Sequence, residues 1–406
     1  MALRVQKYGG TSVADIGHIN NVANRVQKAF DQGDKIVVVL SAMSGVTDHL
    51  ISLAKQASDS PDKRELDLLL ATGEQTTAAL LSMVLRSRGY KAKSFLGFQA
   101  GILTDKMSGK ARILDIDCKN LKKAVENGTI AVVAGFQGAD EDGSITTLGR
   151  GGSDTSAVAI ASSLKADVCE IFTDVDGVYT TDPRICSNAR KIDRISYEEM
   201  LEMAILGAKV LQIRSVEFAK KYNVPVHVRS SFNEEEGTMV VNGTEDMESV
   251  IVSGVTCDMN EARITLKRVP DQPGVSAKLF TALSKAEIGV DMIIQNTRSD
   301  NATDLTFTVT EDDFEHAREI SQKVAKSMGA GEVLTAREIA KVSVIGLGMK
   351  SHSGVAATMF QALADENINI RLISTSEIRI SCVILAKYAE LAVRTLHSAF
   401  NLDQEK

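Results

Sequence analysis

Toward its C-terminus the chain repeats itself without a gap. Asp271–Asn296 (DQPGVSAKLFTALSKAEIGVDMIIQN) aligns with Ser351–Ser376 (SHSGVAATMFQALADENINIRLISTS) at a constant offset. Gly274/Gly354, Val275/Val355, Ala277/Ala357, Phe280/Phe360, Leu283/Leu363, Ile288/Ile368 and Ile293/Ile373 coincide. A match this dense marks a duplicated supersecondary unit. Each copy reads as strand, glycine-containing loop, amphipathic helix, two strands and a helix. The first copy continues through Asp304–Thr310 and a helix from Glu311 to Met328 to a last strand, Glu332–Ala336. The second reaches a helix, Ala389–Phe400, with no last strand after it. An apolar segment, Val250–Val255 (VIVSGV), stands unused just before the first copy. We expect it to complete the second module, so that the two interlock; the alternative is pairing within the preceding domain.

That preceding region alternates strands with helices. Lys35–Leu40 (KIVVVL), Ile130–Ala134 and Val168–Thr173 are short apolar runs suited to strands buried on both faces. Segments of helical period, such as Glu65–Leu85 and Asp154–Leu164, lie between them. The alternation predicts a three-layer α/β domain with a largely parallel sheet, closing with Val224–Arg229 near residue 240. Ser230–Met247, rich in Ser, Asn, Glu and Gly, reads as a surface connection. The expected divisions are 1–245 for the α/β domain, 246–262 for the connection and the borrowed strand, and 263–338 and 339–406 for the two α+β repeats. At 406 residues, two or three domains are the natural expectation.

Composition excludes several classes. The net charge is −7 and no run of five or six basic residues occurs, which argues against a nucleic-acid partner. Met1–Val5 leads into structured-looking sequence with no apolar signal core, and no stretch of about eighteen apolar residues suggests a membrane span. Cys118, Cys169, Cys186, Cys257 and Cys382 are scattered, without a C-x-x-C pair, and the six histidines lack an H-E-x-x-H. Reduced thiols, no protein-built metal site and a cytoplasmic enzyme are the expectation.

Three loops could carry chemistry. Lys7-Tyr8-Gly9-Gly10-Thr11-Ser12 follows the short strand Leu3–Gln6. Its glycines would let backbone N–H groups approach an anion, with hydroxyls and a lysine alongside; a plain strand–helix turn is the bland reading. Gly149-Arg150-Gly151-Gly152-Ser153-Asp154 opens the helix after it. Such a helix start is an anion nest, and Arg150 suits a carboxylate bidentately; Asp154 as a mere helix cap is the alternative. Phe172–Arg184 (FTDVDGVYTTDPR) leaves the C-terminal edge of a strand, where ligands bind in open α/β sheets. Its D-x-D-G run lacks the spacing of a calcium loop. No G-x-x-x-x-G-K-[ST] loop and no H-R-D or D-F-G signature occurs.

In this order, KYGGTSVAD, LSAMSGVTD, ATGEQ, TLGRGGSDTSA, FTDVDGVYTTDPR and GAKVLQIRS resemble the aspartate kinases of the amino acid kinase superfamily. The repeats look like paired ACT domains of βαββαβ topology. The likeness covers essentially the whole chain. Tyr8 stands where Phe is more usual, and Ser353 where Pro is common. The resemblance implies transfer of the ATP γ-phosphoryl group to the side-chain carboxylate of L-aspartate, with Mg2+ accompanying the nucleotide. It implies that Lys7 neutralises phosphoryl charge, that Gly9 and Gly10 give backbone donors, that Asp154 orients Lys7, and that Lys209 reaches the phosphates. Tyr8, Ser41, Thr173, Asp174, Tyr179, Asp182 and Arg184 would complete the ATP site. Ser41, Thr47, Glu74, Arg150, Gly151, Gly152, Ser153 and Asp154 would hold aspartate, Glu74 meeting its ammonium. Solvated surface roles for Lys209 and for Glu74, the latter as an exposed acid at a helix start, are the competing readings.

The same resemblance places effector contacts at Asp271, Gly274, Gln295 and Asn296 in the first repeat and at Gly354, Asn369, Ile370, Thr375 and Glu377 in the second. Lysine, threonine or both are the expected effectors, and a homo-oligomer is expected because ACT-like sheets pair across subunits. Met239 and Met247, near Glu234-Glu235-Glu236-Gly237, suggest an internal start yielding a shorter ACT-only product as an assembly partner. Another amino acid kinase acting on glutamate or acetylglutamate, or a non-catalytic amino-acid sensor, are the alternatives; the repeats argue against the first, and Lys7, Glu74, Arg150 and Asp154 together argue against the second.

Overall fold

The computed structural model describes residues 2–208, 210–243, 252–297, 302–347, 349 and 354–404, which form two compact units. The first comprises residues up to Tyr179, Lys191–Ile205 and the stretch from 210 to 243; the second comprises Thr180–Arg190, Leu206–Ala208 and the residues from 252 onward. The expected division at 245 therefore needs correction, because two short pieces of the N-terminal region belong to the second unit.

The first unit is built on an eight-stranded sheet. Its order is Arg194–Ser196, Thr238–Val241, Val226–Ser230, Val168–Thr173, Leu3–Tyr8, Lys35–Leu40, Ile130–Ala134 and Ala92–Phe95. Every neighbouring pair is parallel except Val226–Ser230 with Thr238–Val241. The apolar runs are central, as burial on both faces requires. Ile36, Val38 and Leu40 face a core shared with Ile19, Val22 and Val26 of the helix Ile16–Asp31 and with Ala78, Leu81 and Leu85 of the helix Lys63–Ser87. The helix Gly152–Leu164, rich in Ala and small residues, meets the strand Leu3–Tyr8 from the other side. Such a helix can approach closely because its side chains are short. Four short strands, Ile102–Thr104, Ile113–Ile116, Gln137–Ala139 and Ile145–Thr147, make a second small sheet.

Two expectations change here. The segment after residue 230 is not simply a surface connection: Thr238–Val241 enters the main sheet, and Glu234 and Glu235 pair with Arg25, Lys28 and Lys191. The helix Lys63–Ser87 is long and apolar enough to cross a membrane by length and composition, but half of that apolar window is buried against the sheet.

The second unit holds one six-stranded sheet, ordered Ile293–Thr297, Ala302–Val309, Gly254–Pro270, Val333–Ile345, Arg379–Leu385, Leu372–Thr375. All its pairings are antiparallel. Its two central strands are long. Residues 262–266 of the first pair with 305–309, whereas residues 254–258 pair with 341–345. Register shifts near Glu261 separate the two halves. Of the apolar segment at 250–255, residues 250 and 251 lie outside the described residues, and the strand starts at Gly254. The helices Val275–Lys285 and Phe314–Met328 cover one half of the sheet, and Gly354–Asp365 and Ala389–Ala399 the other. Beside the register shifts, Lys341 (2% exposed) is clasped by Glu261 at 2.5 Å and by Asp291. The Thr180–Arg190 piece joins the second half: Thr180 accepts the Val255 N–H at 2.7 Å, its hydroxyl meets His397 Nε2 at 2.9 Å, and Ile185 packs on the core.

Candidate functional site

Alternation along the first strand sets the site's axis, because successive side chains point to opposite faces. Lys7 therefore faces the helix Gly152–Leu164, and its Nζ lies 2.5 Å from Asp154 Oδ1. Both residues are under a tenth exposed. Asp154 does not cap its helix. Gly151 occupies the cap position with φ of 70°, so the Asp154 carboxylate is left to hold Lys7. A Cβ at Gly9 would make only an ordinary contact with Lys7 Nζ, at 3.7 Å.

Tyr8 faces the other way. Its ring is fully buried and stacks on Phe172 at 4.6 Å, and burial pushes its hydroxyl well above the usual phenol range. The Tyr8 side chain is therefore part of the core under the sheet. The Gly9 N–H, expected as an anion donor, instead donates to the Phe172 carbonyl at 3.2 Å. Gly10 fits where the chain passes the Ala42 carbonyl, 3.0 Å from where its Cβ would be.

Beside Gly10 and Ser153 lies a pocket of about 300 Å3. Ser41, Thr47, Glu74, Arg150, Gly151, Gly152 and Ser153, all expected from sequence, line it. Ala42 and Phe136, which sequence reasoning missed, line it as well. The Ser41 and Ser153 hydroxyls are 2.8 Å apart. Arg150 is exposed at the mouth. Glu74 is neither exposed nor at a helix start: it sits within the helix Lys63–Ser87 and is 4% exposed. Its Oε1 accepts the Ala42 N–H at 3.1 Å, while Oε2 is buried without a partner among the described residues. Burial pushes its carboxyl up to about 7. A buried, half-satisfied carboxyl facing a pocket invites a cationic group. Gly73 permits this approach, because a Cβ there would come within 2.7 Å of Ala42 Cβ.

Phe136 carries a signal that sequence alone did not show: its φ is 68°, unusual for a bulky residue. Two hydrogen bonds hold it there. Its N–H donates to Ser156 Oγ at 3.1 Å and its carbonyl accepts from Leu148 N–H at 2.8 Å.

The third predicted loop divides between the units. Thr173 donates to Asp174 Oδ1 at 3.1 Å, and the Tyr179 hydroxyl donates to Asp176 at 2.9 Å. Partial burial, then Asp176, push the Tyr179 hydroxyl up to about 12. Asp182 and Arg184 belong to the second unit, where Arg184 holds Asp182 at 2.7 Å and draws its carboxyl below the usual range. Lys209 lies outside the described residues.

Of the expected effector contacts, Gly274 precedes the helix Val275–Lys285 with φ of 94°, and Ser276 donates to Gln295 Oε1 at 3.1 Å. Asn296 lies on the same exposed edge strand as Gln295, and Asp271 is exposed. In the second repeat Gly354 opens its helix and Thr375 ends the strand Leu372–Thr375. Asn369 and Glu377 are exposed, while the Ile370 side chain packs against the core.

The amino acid kinase family pattern matches residues 2–230, and the ACT domain pattern matches 267–323 and 342–400. An aspartate kinase of Pseudomonas putida is 56% identical over 99% of this chain and 98% of its own length. An aspartokinase of Helicobacter pylori is 52% identical over 99% of this chain and all of its own. The crystal structure of Escherichia coli aspartokinase III in complex with aspartate and ADP superposes with a TM-score of 0.83, at 28% identity, covering 98% of this chain and 99% of that one. With a parallel-rich kinase sheet, a duplicated ACT region and full-length relatives of this kind, the chain belongs to the aspartate kinases.

Proposed function

We propose that this chain transfers the γ-phosphoryl group of ATP to the side-chain carboxylate of L-aspartate, giving 4-phospho-L-aspartate, and that lysine, threonine or both inhibit it through the ACT repeats. The observation that carries the catalytic reading is the buried Lys7–Asp154 pair next to a pocket with Glu74 inside and Arg150 at its mouth.

In this reaction two anions must meet, so positive charge and positioning dominate. Lys7, oriented by Asp154, neutralises charge on the transferring group. The N-terminus of the helix Gly152–Leu164 adds a partial positive charge. The acceptor carboxylate is already a nucleophile and needs no general base, which agrees with a pocket lining without histidine. Glu74 Oε2 offers the missing partner for the substrate ammonium, and Arg150 pairs with a carboxylate. Magnesium neutralises nucleotide phosphate charge when bound. A magnesium ion held mainly by phosphates and water needs no cage of protein ligands.

Relatives support the substrate and effector parts of the reading. E. coli aspartokinase III is described with aspartate and ADP, and also with lysine and aspartate at a TM-score of 0.77 and 29% identity. The expected homo-oligomer and the shorter ACT-only product belong to the same proposal. The test is acyl phosphate formation by wild type and variants. Lys7→Ala and Asp154→Ala should each lower kcat by about 10²–10³-fold with folding intact. Wild-type activity in both would refute the assignment. Titration of lysine and threonine, singly and together, tests the regulatory half; no inhibition under any condition removes it.

A further inference from the structure

Arg150 is exposed, so its direction depends on how the backbone around it is held. That backbone is braced from a distant part of the chain. Arg214 Nη1 donates to the Leu148 carbonyl at 2.6 Å, and Nη2 donates to the Ala111 carbonyl at 3.1 Å. Leu148 and Ala111 are at most 1% exposed. Ala111 also donates to the Thr147 carbonyl at 2.9 Å, which ties its loop to the strand leading into the Arg150 turn. One planar fork thus satisfies two separate segments at once, a task that a lysine ammonium performs poorly.

On the far side of Arg150 a second contact acts. Gly151 has φ of 70°, and a Cβ there would come within 2.0 Å of Gln212 Cγ. The Gln212 side chain accepts the Arg214 N–H at 2.6 Å as it caps the helix Ile213–Tyr222. Gln212 and Arg214 therefore form one device that touches the chain two residues before Arg150 and one residue after it. Neither lines the pocket.

We propose that Arg214, with Gln212, is a positioning residue that aims Arg150 at the substrate carboxylate and so sets affinity for the acceptor rather than for the nucleotide. This rests on the reading of Arg150 as the carboxylate partner. An arginine whose loop shifts by about 1 Å loses its bidentate geometry, and misplacements of that size cost up to about 10²-fold.

The test compares Arg214→Met, Arg214→Lys, Gln212→Ala and Arg150→Ala in the full chain, with KM measured separately for aspartate and for ATP. Arg150→Ala should raise the aspartate KM; if it does not, the carboxylate reading fails and the brace has nothing to aim. Given that rise, Arg214→Met should raise the aspartate KM about tenfold or more with the ATP KM nearly unchanged. Arg214→Lys should fall between, and added guanidinium should restore part of the Arg214→Met loss. Equal changes in both KM values, or a lowered melting temperature with unchanged KM values, overturn the proposal. Should Arg214→Met fail to fold, Gln212→Ala and Arg214→Lys decide it by the same aspartate-selective shift.

Discussion

Glu74 shows how one residue can trade stability against binding. Its carboxyl titrates near 4.5 in an unfolded chain and is pushed up to about 7 by burial in the fold. Between those values the folded protein holds a proton that the unfolded chain has lost. Stability therefore falls as pH rises through this window, and the full deficit, about 3 kcal/mol, persists above it. Glu74→Gln keeps an acceptor for the Ala42 N–H and carries no charge. It should melt higher than wild type at pH 8, with the difference vanishing near pH 4.5, and should bind aspartate weakly. A pH-independent difference in melting temperature would contradict this account. Arg150 stood out in the sequence as a charge between glycines, whereas Lys7, Glu74 and Asp154 were marked by the motifs that resemble the aspartate kinases. The motif read as a string did not show the alternation that turns Lys7 and Tyr8 to opposite faces, with the Tyr8 ring in the core. Phe136 went unnoticed because nothing in a phenylalanine announces a positive φ.

Among the elements, the helix Lys63–Ser87 does the most to assemble the pocket. Two turns before Glu74, Asp67 is 1% exposed. It accepts the Thr147 hydroxyl at 2.6 Å and the Gly109 N–H at 3.0 Å. The same helix therefore presents a carboxylate to the pocket and anchors the loop against which Gly149 packs. Asp67→Ala strands a buried hydroxyl and an N–H, at a cost of about 2–4 kcal/mol. A lowered denaturation midpoint, with a raised aspartate KM, is the expected result; an unchanged midpoint would show the anchor to be idle. Periodicity located this helix to within two residues at each end and gave no hint of Asp67's partners. They lie far away in sequence, as do Glu261, Asp291 and Lys341 in the second unit. Local patterns report local geometry, and long-range polar pairs leave no periodic trace.

At the scale of the whole molecule, the duplicated region behaves as one body. Strand 254–270 serves both halves of the sheet, and strand 333–345 does the same. The apolar run that leads into strand 254–270 was legible in the sequence. The continuity of the two long strands was not, because an unbroken strand and two collinear ones read alike. A fragment beginning at residue 252 should be soluble and cooperative, whereas one beginning at 263 should aggregate or unfold. Size-exclusion chromatography with thermal melts of both fragments distinguishes these outcomes, and equal behaviour would argue that 254–258 is dispensable.

The copied unit and the folded unit are thus out of phase by one strand. A recombination event that moved the second copy alone would deliver a sheet whose strand 339–345 has one bare edge, a template for aggregation. A transfer that keeps every strand paired would have to carry both repeats, together with the few residues upstream that look, on paper, like part of a linker.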